Sequence, residues 1–367
     1  MTHCWIGLVL LLMTSLSSPF QATIQQECFE LPKPDGPHAV GTRTLLLADR
    51  PRKRDLLVRV WFPSKGGSAL APYMDRRTGE ELAGEWQLRA DFEKSICTHA
   101  WMDAEIERNG PFPVVLLEHG SGVVPAIYSV LAEGLASHGY IVVATNHPPD
   151  SLIAVYPDGH EIKSAPYWPI NADRRTQGIA IGRFANDVLV ADVRFVLDQF
   201  QELNSHDEFW RGHLDFSRVG IVGHSMGGTS AALATLQEKR IRAGVNLDGS
   251  TYPGMNGDVR PIPLDKPFLF MVTEEHASNP ATQVREYVGA EPDSYYVVVT
   301  GSDHMGFSDA RLVQNRFSRE AASDRTRTQQ ALITLRLTRS MVKEFLGKYL
   351  KGDLAPVLDG LVRIDRK

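Results

Sequence analysis

A six-residue turn constrains this chain more than any other feature. Gly223-His224-Ser225-Met226-Gly227-Gly228 directly follows the apolar run Val219–Val222 and precedes the helix-prone stretch Thr229–Glu238. A G-x-S-x-G sequence between a strand and a helix is the pattern of a nucleophile elbow. The turn must be sharp enough to hold Ser225 in a strained backbone conformation with its hydroxyl exposed. Gly223 and Gly227 let strand and helix approach closely. The N–H of Met226, at the start of the helix, is left to face an oxyanion.

A serine nucleophile needs a base, and the base needs an orienting acid. In folds built around this elbow the order is Ser, then Asp or Glu, then His. Only His276 and His304 lie downstream of Ser225. His304 sits in Gly301-Ser302-Asp303-His304-Met305-Gly306-Phe307, after the strand-like run Tyr295–Thr300, and is the expected base. His276 follows Pro267–Val272, one strand too early. Two places are open for the acid. Asp248 ends the apolar run Ala243–Leu247, and Glu274 and Glu275 follow Phe268–Val272. Pattern alone does not choose between them.

Eight strand-like runs can be read: Thr44–Leu47, Leu56–Phe62, Pro113–Glu118, Tyr140–Thr145, Arg218–Val222, Ala243–Leu247, Phe268–Val272 and Tyr295–Thr300. From Pro113 onward they alternate with helical patterns, which predicts a parallel sheet with crossover helices. Residues 173–203 and 331–350 carry the longest helical patterns. The basic cluster Arg50–Arg54 reads as a charged turn between the first two strands. Two stretches have no place in such a sheet, 64–110 and the aromatic, proline-rich 147–171. Both are candidate walls or a cap over the site, with Tyr167 and Trp168 the expected apolar surface. No linker breaks the pattern, so residues 23–367 are read as one domain.

The chain resembles the plasma-type platelet-activating factor acetylhydrolases and their bacterial relatives. The resemblance rests on the stretch from Phe112 through His119-Gly120-Ser121-Gly122 to Ala144, on the elbow, on Asp248 after its strand, and on Gly301–His304 with Phe307 and Asp309. It implies an α/β-hydrolase fold, an eight-stranded mostly parallel sheet with helices on both faces and insertions forming a cap. It favours Asp248 over Glu274 as the acid. It adds the N–H of Ser121 to that of Met226 as the second oxyanion donor. It implies a secreted esterase or lipase acting on phospholipids with a short or oxidised acyl chain. A general carboxylesterase or polyester hydrolase is the alternative within the fold, and a non-catalytic binding protein the alternative outside it.

Composition narrows the rest. With 367 residues and a net charge of −5, the chain is long enough for a large core and has no global basic surface for nucleic acid. The site as read needs no metal or cofactor. The partner expected is a small-molecule or lipid ester, and peripheral contact with lipid surfaces is compatible with it. Trp5–Met13 is apolar but too short to span a bilayer, and the following residues are small and polar, so residues 1–22 read as a signal peptide and the mature chain as secreted or periplasmic. Removal of that segment takes Cys4 with it. Cys28 and Cys97 would remain, either as one disulfide or as two thiols.

Overall fold

The computed structural model describes residues 28–250, 264–279, 293–320 and 324–359. The expected signal peptide, with Cys4, lies outside them. In chain order the strands are β1 (Phe29–Glu30), β2 (Ala39–Asp49), β3 (Arg54–Ser64), β4 (Ala69–Leu70), β5 (Ile96–Cys97), β6 (Ala100–Met102), β7 (Phe112–Glu118), β8 (Ile141–Asn146), β9 (Ile153–Val155), β10 (Glu161–Lys163), β11 (Leu214–His224), β12 (Ile241–Leu247), β13 (Phe268–Thr273) and β14 (Ser294–Val299). The main sheet runs β14-β13-β12-β11-β7-β8-β3-β2-β6-β4.

All eight predicted runs are strands of this sheet, which has ten strands rather than eight. The extra two, β4 and β6, come from the 64–110 segment. They are two and three residues long, too short to show a period. β6 pairs along the outer edge of β2, which would otherwise present unpaired backbone groups, and β4 pairs in turn with β6. The strands β7, β8 and β11–β14 are mutually parallel. Every residue of β7 is buried, as a strand covered on both faces requires. On one face lie α2 (Ser129–Ser137), α7 (Ala310–Phe317) and α8 (Arg325–Leu346), with Leu131, Val313 and Val342 in one core. On the other lie α4 (Val190–His206) and α5 (Met226–Gln237), with Val193, Phe200 and Leu233 in a second core. The long helical pattern at 173–203 is realised as Arg174–Phe184, a π turn at Ala185–Leu189, and α4.

The basic turn is more than a solvated hairpin. Arg52 Nη1 donates to Asp192 Oδ1 at 2.7 Å, and Arg54 Nη2 to Asp192 Oδ2 at 2.7 Å. Asp192, on α4, has a fully buried side chain. The cluster thus serves as counter-charge to a core carboxylate, and a polyanion site there is not needed to account for it.

Cys28 and Cys97 form a disulfide with Cα atoms 5.7 Å apart. It fastens the start of the described chain, β1, to β5 in the first insertion, where the two strands pair. The bond closes a loop with a sequence separation of 69, so loop-closure entropy alone gives about 4 kcal/mol. Replacing both cysteines by serine should therefore lower the free energy of unfolding by up to that amount. Urea denaturation of the double variant checks this, and a loss below about 1 kcal/mol would show that the β1 segment is held without the bond.

Candidate active site

The elbow is built as its sequence requires. Ser225 has φ 56° and ψ −119° and stands between β11 and α5. A Cβ on Gly223 would collide with the Gly227 carbonyl, and one on Gly227 with the Glu118 carbonyl. Only glycine allows the strand, the turn and the end of β7 to come this close. Met226 occupies the first helical position of α5, where no intrahelical carbonyl reaches its N–H.

The structure brings three predicted residues together. The Ser225 hydroxyl lies 2.9 Å from His304 Nε2, and His304 Nδ1 lies 2.7 Å from Asp248 Oδ2. Asp248 ends β12 with φ 56° and is buried, whereas His304 is 44% exposed on its loop. The Asp248 carboxylate is thus sequestered and the His304 imidazole is open to solvent. Glu274, the alternative acid, is elsewhere: its carboxylate accepts the Gly301 N–H at 3.1 Å. It steadies the loop that carries the base without touching the imidazole.

Asp248 carries a second imidazole that sequence reasoning ranked low. His276 Nδ1 is 2.8 Å from Asp248 Oδ1, and His276 Nε2 is 3.1 Å from the Ser250 hydroxyl. Thr273 N–H also donates to Oδ1, at 2.8 Å. Burial disfavours the ionised carboxyl, but His276, His304 and the Thr273 N–H outweigh it and hold Asp248 well below the usual carboxylate range. Asp248, His276 and His304 also offer three metal-type donors within 4.8 Å of one another. Of these, His304 Nδ1 and Asp248 Oδ2 are hydrogen-bonded at 2.7 Å, and His276 Nδ1 stands at ion-pair distance from Asp248 Oδ1.

The loop expected to supply the second oxyanion donor lies against the nucleophile. A Cβ on Gly120 would stand 3.1 Å from that of Ser225. The peptides around Gly120 are gripped from two sides. His119 Nδ1–H donates to Gly120 O at 2.8 Å, and the Gly120 N–H donates to the Tyr128 hydroxyl at 3.0 Å. The Tyr128 hydroxyl donates in turn to His224 Nδ1 at 2.8 Å, and His224 Nε2–H donates to the His304 carbonyl at 2.7 Å. One buried chain of hydrogen bonds therefore joins the oxyanion loop, the elbow and the base loop. Burial lowers both imidazoles, His224 to about 3, so each is neutral with one donor and one acceptor nitrogen. The Ser121 hydroxyl, for its part, donates to Asp150 Oδ1 at 2.5 Å. That carboxylate also accepts from Tyr167 at 2.9 Å. Tyr167 stacks on Phe184 with ring centres 3.7 Å apart, and Trp168 meets its edge. The aromatic insertion is thus anchored at the oxyanion loop through Tyr167.

Behind this loop lies a buried ionic cluster. His147 sits between Glu118 Oε2 at 2.8 Å and Asp192 Oδ2 at 3.0 Å. Its backbone N–H donates to His119 Nε2 at 3.1 Å, which fixes the tautomer of the imidazole that holds Gly120. Burial alone would lower His147, but the two carboxylates raise it to about 10.

Two outcomes test this arrangement. Tyr128→Phe keeps the ring but removes the acceptor for the Gly120 N–H. It should lower kcat on a small ester about tenfold or more and leave KM within about twofold, because the loss is felt by the oxyanion. Steady-state kinetics decide, and an unchanged kcat would show that the grip is idle. His147 has a folded pKa of about 10 above an unfolded value of about 6.5. Its contribution to stability is complete below about pH 6.5 and fades as pH rises through 10. Urea unfolding of wild type and His147→Gln should therefore differ most at pH 6 and converge toward pH 10.

Comparison with known proteins agrees with this architecture. A family profile for platelet-activating factor acetylhydrolase, isoform II, matches residues 23–165 and 190–356. A platelet-activating factor acetylhydrolase of Cavia porcellus is 24% identical over 347 residues, 88% of this chain and 78% of that one. A protein of Arthroderma benhamiae named a probable 1-alkyl-2-acetylglycerophosphocholine esterase is 26% identical over 264 residues, 64% of each. Among solved structures, a ferulic acid esterase from Streptomyces cinnamoneus superposes with a TM-score of 0.75 at 27% identity, over 91% of this chain and 96% of that one. The chain is a carboxylic ester hydrolase of α/β-hydrolase fold, and it belongs to the platelet-activating factor acetylhydrolase, isoform II, family.

Proposed function

We propose that this enzyme is a secreted serine esterase working through an acyl-enzyme. Ser225 attacks the ester carbonyl while His304 Nε2 takes its proton. Asp248 holds the imidazole in the required tautomer and stabilises the imidazolium. The N–H groups of Met226 and Ser121 receive the oxyanion. The imidazolium protonates the departing alkoxide, and His304 then activates a water that releases the acid and restores Ser225. The reading rests on one observation above all: a single imidazole lies 2.7 Å from a buried carboxylate and 2.9 Å from a serine hydroxyl held at an elbow. The disulfide supports an oxidising compartment and hence export, with residues 1–22 as leader and a single domain from residue 23.

The substrate class follows the family: a phospholipid with a short or oxidised acyl chain. The likeness to a ferulic acid esterase at 27% identity favours a second reading, an aryl or general carboxylic ester. Parallel assays with an acetyl-glycerophosphocholine and a feruloyl ester separate the two by their kcat/KM.

Ser225→Ala should lower kcat by about 10⁴ or more, because the three residues act as a unit. Asp248→Asn should cost roughly 10⁴, and Glu274→Gln, which only steadies a loop, less than about tenfold by comparison. An organophosphorus ester should label Ser225, as read by mass spectrometry of the modified peptide. Labelling at another serine, or a larger loss from Glu274→Gln than from Asp248→Asn, overturns the mechanism.

A further inference from the structure

A groove of about 710 Å³ lies among the described residues, and the residues that line it do not include Ser225. Its floor is the face of β2 and β3 that carries Thr42, Thr44, Leu57 and Arg59. Its walls come from both insertions, with Ala71, Pro72, Met74 and Met102 from the first and Val155, Tyr156 and Pro157 from the second. It ends inward at Asn146, the last residue of β8, and at Val124–Ala126, three residues beyond Ser121. The strand order gives its placement. β11, which ends next to Ser225, is two strands from β8, and β8 is three strands from β6. At about 4.8 Å per strand, the groove runs on the order of 14 Å outward from a point about 10 Å from the nucleophile's strand. Asn146 and Ser225 lie at or just past the carboxyl ends of parallel strands, the edge where α/β sheets bind ligands.

The groove's chemistry is apolar where it is open. Of its four charged residues, three are engaged elsewhere. Arg59 donates to the Tyr73 and Pro72 carbonyls, Asp75 caps the helix Arg76–Glu85, and Arg43 lies 3.5 Å over the Phe209 ring. The fourth, Asp103, is exposed beside Met102 at the outer end. Leu46, paired with Leu57 and 46% exposed, carries the apolar floor on into solvent. A volume of this size suits a single flexible ligand, and an extent of three strand spacings is long enough for an unbranched chain. A chain advancing about 1.2 Å per bond would need roughly a dozen bonds to fill it.

We propose that this groove holds the long aliphatic chain on the alcohol half of the ester, leaving the short acyl group at Ser225. The proposal rests on the esterase reading above. It assigns the two insertions a common purpose as walls of an alkyl site rather than of the acyl pocket. The chain is not chemically changed, so its effect is on binding and positioning alone.

The test uses two acetyl-glycerophosphocholines that differ only in the neighbouring chain, hexadecyl or butyl, assayed below their aggregation concentrations, with p-nitrophenyl acetate as a third substrate. Each covered methylene is worth up to about fourfold in affinity, so wild type should prefer the hexadecyl ester by about a hundredfold or more in kcat/KM. Thr44→Trp places a ring on the exposed groove floor at a strand position that tolerates one. It should lower kcat/KM for the hexadecyl ester at least about tenfold and leave the other two substrates within about twofold. Leu57→Trp should act in the same way, and hexadecylphosphocholine should inhibit wild type better than either variant. A wild-type preference near one, equal losses on all three substrates, or no loss on the hexadecyl ester in either variant overturns the proposal. No hydrolysis of p-nitrophenyl acetate by wild type would overturn the esterase reading itself and this one with it.

Discussion

Asp248 carries a full negative charge while its side chain is 1% exposed. An isolated carboxylate in that position would cost several kcal/mol, so the surroundings are organised to supply donors. Oδ2 is given to His304, and Oδ1 to His276 and Thr273. Three different strands contribute to this one group: β12 ends in it, β13 donates its last N–H, and the loop after β14 brings the base. The positions of the strand ends are therefore tied together by an electrostatic requirement as well as by the core. The base gains from the division of labour, because it keeps one carboxylate oxygen to itself.

The other buried charges follow a similar logic with a different outcome. Glu118, His147, Asp192, Arg52 and Arg54 form a cluster in which two carboxylates meet one imidazolium and two guanidinium groups. Every member gains a partner within the cluster. Asp309 is treated differently. It receives the Val130 N–H and the Tyr73 hydroxyl, but burial and nearby Glu133 push its carboxyl well above the usual range. It acts as a neutral hydrogen-bonding post between α2 and α7. Paired charges thus cluster at the ends of β7, β8 and β12, and a neutral acid serves between helices.

Much of this was legible in the sequence because it is local. The eight runs carry their own strand pattern, and the elbow carries its own glycines. His304 stands out in the sequence because its loop follows a readable strand. The choice of Asp248 required the family resemblance, since Asp248 and Glu274 look alike as residues after strands. What could not be read were contacts between distant segments. His276 looks like a loop histidine until β12 and β13 pair in register. Tyr128 and His224 lie 96 positions apart, and only the fold shows that one hydroxyl connects them. Asp192 reads as one more charge on a helix pattern, and Arg52 and Arg54 as a turn, until the hairpin folds over α4. The second oxyanion peptide was assigned by analogy. The signal that could have strengthened it was His119, whose ring nitrogen now holds the neighbouring carbonyl.

The placement of the acid after β12 rather than after β13 has a structural consequence of its own. The Asp248 carboxylate, just past β12, lies beside the end of β13, and the Thr273 N–H, past the last β12–β13 pair Leu247↔Met271, donates to it at 2.8 Å. The residues freed after β13 then take other tasks in the same place. Thr273 caps the short helix Glu274–Ser278, His276 reaches back to the acid, and Glu274 fastens the Gly301 turn ahead of the base. The β13 terminus thus braces the Ser225–His304–Asp248 contacts without providing their carboxylate. The same carboxylate geometry would be lost if either strand slipped by one residue, because side chains alternate faces along a strand.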